Sequence, residues 1–327
     1  MKLRYCIFTA ITLFAILGMS FSCSEGDDET DIHAKIMQEF VKEISAYAKK
    51  EKPGFIIIPQ NGPELAFYNT EPNDGIMDSY VNAIDGIGIE ELFYNGSLSI
   101  DSNRLSMLRT LKSSAKILVS DFVSDNEKIA DSKTKNANEG FIAFPRGKDN
   151  YYYVEIPNLA EAEKNSDPVN TLDDAENYLY LINPDNFTDK TDMITKIKAT
   201  NYDVILIDLF FSNGTSGGAT ELTQDDISKL KEKPNGAKRL VISYINIGSA
   251  ENYRYYWKPG WKKGNPSWIK KEYEGYSDEY WVEFWDSEWR DIIYGNDKSY
   301  IKKIINTGFD GAYLDNVEAY YFLSKSR

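Results

Sequence analysis

The sequence predicts an α/β protein whose strand–helix units close into a (β/α)8 barrel. Short runs of β-branched and aromatic residues recur along the chain, mostly at intervals of roughly 25–30 residues. Amphipathic stretches with helical spacing separate these runs, and this alternation is typical of parallel strands joined by crossover helices. Eight such units in 327 residues suit one closed barrel better than two small domains.

The first four units are predicted between residues 33 and 147. A helix is expected over residues 33–50, because Ile36, Phe40 and Ile44 recur at helical spacing. Further helices are predicted at 76–82, at 104–113 and around Ile129. The strands are short apolar runs that suit burial on both faces, and they are predicted at 55–58, 83–89, 115–121 and 140–144.

A polar connection over residues 148–175 interrupts this alternation, and we expect a surface linker within one fold. The strands that follow it are predicted at 177–183, 203–208, 239–244 and 308–316. Helices are predicted at 191–199, 223–231 and 297–305. The segment 253–289 is rich in Trp and Tyr and is predicted to be an elaborated loop with short helices.

The N-terminus resembles a bacterial lipoprotein signal. Residues 1–22 combine two early basic residues with an apolar run too short for a mature membrane span, and Cys23 then follows Ser22. The resemblance implies a lipid anchor on Cys23, whereas an ordinary secretory signal would leave that cysteine incidental. Residues 23–32 form an acidic tether, similar to export signals of surface lipoproteins in Bacteroidetes-type bacteria. We therefore expect a barrel over 33–327, anchored at the outer membrane or cell surface.

The amino-acid composition excludes several kinds of active site for this barrel. Cys6 would leave with the signal and Cys23 would carry lipid, so no cysteine remains for a disulfide, a thiol nucleophile or a zinc cluster. His33 is the single histidine, which excludes Ser-His-Asp catalysis and most histidine metal sites. A formal charge of -14 argues against nucleic acid and favours a neutral or cationic partner. We expect a monomer without a cofactor, in which carboxylates, tyrosines and lysines carry any acid–base chemistry.

The strand predicted at 308–316 ends in Asp315-Asn316, the position from which barrel enzymes project catalytic groups. A helix cap or loop carboxylate would give the same pattern. Other predicted strands also end in an acid, namely at Asp208 and Asp121. The repetition favours a functional edge of the barrel.

Four stretches together resemble glycoside hydrolase family 114, the endo-α-1,4-polygalactosaminidase-like proteins: 203–208, 243–254, 280–285 and 308–316. The resemblance implies a (β/α)8 barrel that hydrolyses α-linked, galactosamine-containing polysaccharide. In that family the Leu-Asp-Asn-Val segment lies mid-chain, whereas here Leu314 to Val317 come close to the end. Residues 55–62 and 84–94 are similar to segments that normally follow it. The chain is therefore predicted to be circularly permuted, with the old termini joined through 148–175. A truncated gene with a similar-looking front region is the alternative.

The resemblance implies that Asp315 and Glu90 form the catalytic pair. Side-chain alternation lets only one of Glu90 and Glu91 point inward, and the match to the family selects Glu90. Further candidates for substrate binding share a place at or just beyond a predicted strand end: Asp208, Asp121, Glu251, Tyr244, Asn246, Gln60, Asn61 and Asn316. The three acids among them would alternatively pair with Arg254 or a loop lysine, and Gln60-Asn61 would alternatively form only a turn.

The aromatic residues and the overall function of the protein each allow more than one interpretation. Six tryptophans are available for stacking on sugars, and we expect at most one or two to contact substrate, because most aromatic residues at such spacing pack in the core. The leading hypothesis is a glycoside hydrolase with an oligosaccharide or polysaccharide substrate. A surface lipoprotein that binds glycan without cleaving it is the alternative. A purely structural lipoprotein would lack a polar cleft.

Overall fold

The computed structural model describes residues 25–123, 125–147, 152–212 and 219–324. Its helices are α1 (Glu25–Glu51), α2 (Asp78–Val81), α3 (Ser102–Leu111), α4 (Asn126–Glu139), α5 (Lys190–Lys198), α6 (Gln224–Leu230), α7 (Ser287–Ile293), α8 (Tyr300–Thr307) and α9 (Ala319–Ser324). Its strands are β1 (Ile56–Pro59), β2 (Gly86–Leu98), β3 (Lys116–Val123), β4 (Ile142–Ala143), β5 (Tyr178–Leu181), β6 (Val204–Asp208), β7 (Phe210–Phe211), β8 (Thr220–Glu221), β9 (Leu240–Asn246), β10 (Ser249–Glu251), β11 (Ile269–Tyr273), β12 (Tyr276–Val282) and β13 (Gly311–Asp315).

Parallel strands form the centre of the fold, as the alternating sequence pattern predicts. One sheet has the order β5-β6-β9-β13-β1, and a second has the order β2-β3-β4. A parallel bridge between Gln60 and Gly88 joins the two sheets, and the N–H of Asn61 donates to the carbonyl of Gly88 at 2.7 Å. The parallel strands thus follow one another from β5 to β4, and the strand that carries Asp315 is separated from the strand that carries Glu90 only by β1.

Aromatic side chains show that the parallel strands curve around a shared interior. The rings of Tyr313 on β13 and Tyr180 on β5 lie 5.4 Å apart, although β9 and β6 separate these strands in the sheet. The Tyr180 hydroxyl also donates to Oε1 of Gln60 beyond β1 at 3.1 Å, which links opposite edges of the sheet. Tyr313 occupies the space that a side chain at Gly88 on β2 would need, so that position requires glycine.

The long first helix packs on this core but begins earlier than predicted. Its buried face includes Met37, Phe40 and Ile44, and the Gln38 side chain donates to the carbonyl of Leu65 at 2.9 Å. The helix starts at Glu25 rather than at residue 33, so the described part of the predicted tether is helical. Acidic side chains are favourable near a helix N-terminus, where the dipole is positive, which explains the extension. The predicted signal, residues 1–22, and Cys23 lie outside the described residues.

Two connections differ from the sequence predictions. The segment 253–289 contains the antiparallel hairpin β11–β12 and the helix α7, and β12 also pairs with β10. Alternation of polar and aromatic residues around a Glu274-Gly275 turn is the sequence feature that accompanies this hairpin. The described part of the 148–175 connection is not confined to the surface, because Tyr153, Val169 and Leu172 are buried.

Candidate active site

A cavity of about 790 Å³ opens at the carboxyl ends of the parallel strands. Its lining includes Asp315 from the end of β13, Glu90 from β2, and Gln60 and Asn61 from the loop after β1. In barrel enzymes catalytic groups gather at this end, because the loops that follow neighbouring strands converge there. The polar residues of this cavity are therefore the candidates for function.

Asp315 is the last residue of β13. Its Oδ2 accepts a hydrogen bond from the Tyr244 hydroxyl at 2.5 Å, and its Oδ1 accepts one from the N–H of Asn316 at 2.8 Å. Burial, followed by the negative charge of Glu90, raises the pKa of Asp315 to about 7, although these two donors oppose the rise. Asp315 therefore exchanges a proton near neutral pH, which suits acid–base catalysis.

Glu90 lines the same cavity and is held by neutral donors. The Tyr153 hydroxyl donates to Oε1 of Glu90, and Nδ2 of Asn61 lies 3.4 Å from Oε2. The following residue, Glu91, has a φ of 56°, and its carboxylate faces Arg146, whose Nη2 lies 2.8 Å from Oε1. The strand is irregular there, since its register with β3 shifts after Glu90. Of the two adjacent glutamates, only Glu90 is part of the cavity lining.

Arg254 forms ion pairs with two acidic residues of the cavity lining. Its Nη1 lies 2.7 Å from Oδ2 of Asp208, and its Nε lies 2.6 Å from Oε2 of Glu251. These three side chains are at most 10% exposed, so each charge depends on its partners for stabilisation. Burial raises the pKa of Asp208 even though Arg254 opposes the rise. Asp208 and Glu251 thus form the ion pairs with Arg254 that were the alternative to substrate binding, and both acids also line the cavity.

Glu279 fastens the β11–β12 hairpin over the strand ends. Its Oε1 accepts hydrogen bonds from Nδ2 of Asn246 at 2.8 Å, from Nδ2 of Asn316 at 3.2 Å and from the Ser249 hydroxyl. Burial, followed by the charge of Glu251, raises the pKa of Glu279 to about 8. This carboxylate therefore connects the hairpin to the ends of β9 and β13.

Glu318 adds a further acid three residues beyond Asp315. It lines the cavity, and its side chain makes no hydrogen bond or salt bridge within the part of the chain that the structure describes. Burial, followed by the charge of Glu64, raises the pKa of Glu318 to about 8, with Arg104 opposing the rise. The cavity thus contains a buried carboxyl that forms no ion pair with another described residue, and a cationic group of a ligand would favour its ionised form.

Tyrosine and phenylalanine supply the aromatic lining: Tyr153, Tyr180, Phe210, Tyr244, Tyr253, Tyr255, Tyr273, Tyr276 and Phe322. No tryptophan is among the described lining residues, which is compatible with the expectation that at most one or two contact substrate. Trp281 instead supports the rim, because its ring lies flat between Tyr273 at 4.4 Å and Phe322 at 4.7 Å. Rings of this kind stack on the apolar faces of sugars.

Comparison with known proteins agrees with this fold. Residues 161–327 match the model of glycoside hydrolase family GH114, which is more than half of the chain. The chain belongs to glycoside hydrolase family 114. The matched residues include Asp315, Arg254 and Glu318, whereas Glu90 lies outside them.

Three curated relatives share part of this family 114 sequence, and each is described as an uncharacterized protein. The relative from Methanocaldococcus jannaschii is 37% identical over 133 residues, which are 41% of this chain and 35% of that protein. The relatives from Thermotoga maritima and Deinococcus radiodurans are 30% and 29% identical over 127 residues, covering 39% of this chain and 36% and 37% of theirs. The aligned part thus spans little more than a third of each relative's length.

Most of the predicted site residues of this family 114 chain meet at the cavity. Besides the catalytic candidates, its lining includes Gln60, Asn61, Asp208, Tyr244, Glu251 and Asn316. Asn246 lies behind the lining and orients Glu279.

Asp121 is not brought to the cavity. It is fully buried, its Oδ1 accepts from the N–H groups of Phe93 and Tyr94, and its Oδ2 accepts from the side chains of Ser132 and Asn136. These bonds connect β2, β3 and α4. The prediction that Asp121 binds substrate is therefore wrong, because its carboxylate is buried away from the cavity.

Several lining residues are not among the predicted site residues, and Tyr153, Glu279 and Glu318 are the ones that act on the predicted pair or on its surroundings. Glu318 follows the strand end at Asp315 closely, so its position was a usable signal. Tyr153 belongs to the apolar stretch 151–156 of the 148–175 connection. Glu279 was hidden because the hairpin that carries it was overlooked.

No cluster of three or more His, Cys, Asp or Glu side chains within the described residues is arranged to hold a metal ion. No described helix has the length and apolar character needed to cross a membrane.

Proposed function

We propose that this family 114 protein hydrolyses α-linked, galactosamine-containing polysaccharide with Asp315 and Glu90 as its catalytic pair. The observation that carries the proposal is their joint placement: both line one cavity, and the charge of Glu90 contributes to the raised pKa of Asp315. Glycoside hydrolysis needs one group that protonates the leaving oxygen and one carboxylate that attacks or activates water. Two interacting carboxyls that hold one proton between them supply both functions.

The reaction balances with this pair and one water molecule. The bond between the anomeric carbon and the leaving oxygen breaks, and that oxygen takes the proton of the pair. The oxygen of water forms the new bond to the anomeric carbon, either directly or after a covalent sugar–carboxylate intermediate. A proton from that water then returns to the pair.

The charge of the cavity favours a substrate with free amines. Glu318 has no salt bridge among the described residues, and Glu279 is bound by neutral donors. The one described arginine of the lining, Arg254, is already paired with two acids. The carboxyls of Glu279 and Glu318 both have a pKa of about 8 and hold protons near neutral pH, so an ammonium group on the sugar would favour their ionised forms and pair with them with little competition from the protein.

We further propose that the parallel strands form a closed, circularly permuted (β/α)8 barrel. The strand order from β5 to β4 supports this, because the second half of the chain supplies the first four strands and the front supplies the rest. Across the remaining gap the rings of Phe144, just after β4, and Tyr178 on β5 lie 5.6 Å apart. The connection 148–175 would then join the ancestral termini.

For the cellular setting we propose a monomer anchored by lipid on Cys23 at the bacterial outer membrane or cell surface. The basic and apolar segment before Cys23 and the acidic residues after it support this proposal. Labelling of the intact protein with a radioactive fatty acid, lost in Cys23→Ala, is the expected result.

The hydrolase proposal is tested with purified protein and a panel of polysaccharides. We expect new reducing ends from an α-1,4-linked galactosamine polymer and fewer from its fully N-acetylated form. The double variant Asp315→Asn/Glu90→Gln should release none. Binding of the polymer without release of reducing ends by the wild type would support the glycan-binding alternative instead.

A further inference from the structure

We propose that Arg146, Ser120 and Tyr153 form a hydrogen-bonded relay that positions Glu90 and stabilises the charge of its carboxylate. The inference rests on the catalytic role proposed above for Glu90. It makes Tyr153 a positioning residue that acts through Glu90, and it gives the connection between the two halves of the chain a part in the active site.

The direction of each hydrogen bond in the relay follows from chemistry. A guanidinium group only donates, so Nη1 of Arg146, 2.9 Å from the Ser120 hydroxyl, must donate to that oxygen. The Ser120 hydroxyl is then free to donate to the Tyr153 oxygen at 3.0 Å. Tyr153 in turn donates its own proton to Oε1 of Glu90. The relay therefore runs one way, from a cation to a carboxylate.

Burial makes this relay effective. Arg146, Ser120 and Tyr153 are 3%, 1% and 2% exposed, so little water competes for their hydrogen bonds. Hydrogen bonds in such surroundings polarise one another, and a donor to a carboxylate favours its ionised form. The tyrosine therefore transmits part of the effect of the Arg146 charge to Glu90. Without the hydroxyl of Tyr153, Glu90 would hold a proton more readily.

Packing fixes the orientation of Tyr153. Its ring lies flat on Tyr180, with ring centroids 3.7 Å apart and an angle of 20° between the planes. The Arg146 guanidinium lies over the Tyr153 ring, 5.0 Å from its centre, in a cation–π contact. A phenylalanine at position 153 would keep both contacts and lose only the hydroxyl.

Other groups also act on Glu90 and must be considered in any titration. The charged groups that interact with it are Asp315 from β13, Glu318 before α9, Glu91 from β2 itself and Arg146 after β4. The buried hydroxyls of Tyr178, Tyr180 and Tyr313 face it from β5 and β13. None of these groups is altered by Tyr153→Phe, so a shift in that variant reports the lost hydroxyl.

The test compares Tyr153→Phe and Ser120→Ala with a matched control. In Tyr153→Phe we expect kcat to fall about tenfold, with KM changed less than about twofold. One limb of the pH–rate profile should move to higher pH by about 0.5–1 unit. Ser120→Ala should shift the same limb in the same direction by less. The control is Tyr202→Phe, which removes a hydroxyl that holds the same connection through the carbonyl of Pro157 at 2.7 Å. Its pH–rate profile should match that of the wild type.

Infrared difference titration gives a second readout that does not require activity. The carboxylate band of Glu90 is assigned by its loss in Glu90→Gln, and we expect it to titrate at higher pH in Tyr153→Phe than in the wild type. An unchanged titration, with activity lost only through a lower Tm, would overturn the relay and leave Tyr153 a packing residue. A wild type that cleaves no glycan would overturn the proposed function, while the infrared shift would still decide on the relay.

Discussion

Asp315 and Glu90 line the same cavity, but the protein surrounds them differently. Asp315 receives hydrogen bonds from one tyrosine and from the backbone, and its charged surroundings are acids. Glu90 also receives a hydrogen bond from a tyrosine, but that tyrosine is connected through Ser120 to the buried cation Arg146. Two similar side chains therefore have different electrostatic surroundings beyond their first hydrogen bond.

This difference suits the pair to the hydrolysis proposed above. A glycosidase needs two carboxyl groups in different protonation states at one pH, and unequal surroundings create that inequality. The difference also follows the organisation of the chain. Asp315 and its partner Tyr244 lie within the residues that match family 114, whereas Glu90 and its relay lie before them. The two halves of the chain thus contribute different electrostatic surroundings to one site.

The largest expected effect comes from removing each member of the pair. Asp315→Asn and Glu90→Gln should each lower kcat/KM on the galactosamine polymer by about 10³-fold or more. On an aryl glycoside with a dinitrophenol leaving group, which needs no proton, the two variants should differ. The variant that lacks the acid should recover much of its activity, and the other should not. Equal losses on both substrates would contradict unequal roles.

The pH dependence of stability should reveal the burial of Asp315. Its pKa is about 7 in the folded state against an ordinary value of 3.8, so the folded state binds more protons than the unfolded state between these values. Its contribution to stability is therefore complete below about pH 4 and is lost as the pH rises through 7. Asp315→Asn removes this loss, and its free energy of unfolding at pH 8 should exceed that of the wild type by about 4 kcal/mol, since a shift of about three pKa units corresponds to that free energy.

Thermal unfolding at pH 5 and pH 8 checks this prediction. The difference in Tm between Asp315→Asn and the wild type should grow in favour of the variant from pH 5 to pH 8. Glu161→Gln is the control, because that carboxylate is 88% exposed and its change should alter stability little at either pH. A difference in Tm that stays constant over this range would show that Asp315 is not buried as a proton-holding group.

Glu318→Gln should affect the choice of substrate more than the chemistry. The change removes the carboxylate that has no described salt bridge and keeps its shape, so binding of an ammonium group should weaken. We expect KM for the polymer with free amines to rise about five- to tenfold, with kcat changed less than about threefold. The matched measurement uses the N-acetylated polymer, for which KM should not rise. An equal rise for both polymers would contradict recognition of the amine.

The smallest effect is expected for the second donor to Glu90. The Asn61 amide lies 3.4 Å from Glu90, a long hydrogen bond, so Asn61→Gly should lower kcat/KM only about two- to threefold. Glycine suits this position, since the φ of Asn61 is 60°. A larger loss than that of Tyr153→Phe would show that Asn61, rather than the relay, is the main support of Glu90.

The sequence predicted the parallel strands and the convergence of the pair well. β6 and β13 end at Asp208 and Asp315 as expected, because apolar β-branched runs bounded by an acid define short buried strands. The permuted order implied by the resemblance predicted that one strand separates Asp315 from Glu90. In the structure that strand is β1, which lies between β13 and β2.

What the sequence did not predict depends on tertiary contacts. Asp121 has the same strand-end pattern as Asp315, but its side chain turns towards α4, and no local signal distinguishes the two directions. β2 extends to Leu98, well beyond the predicted end at residue 89. The chain bends at Glu91, where φ is positive, and the strand continues after the bend. The contact of Tyr153 with Glu90 joins residues far apart in the sequence, so composition and periodicity carry no trace of it.

Carbon-13 NMR of the aspartate carboxyl groups tests the central claim most directly. In protein labelled at the aspartate side-chain carboxyl, one signal should titrate near pH 7, and Asp315→Asn should abolish it. In Glu90→Gln the Asp315 signal should titrate at lower pH, because the neighbouring negative charge is gone. A signal of Asp315 that titrates near the ordinary value of 3.8, and is unmoved in Glu90→Gln, would contradict the proton-sharing pair.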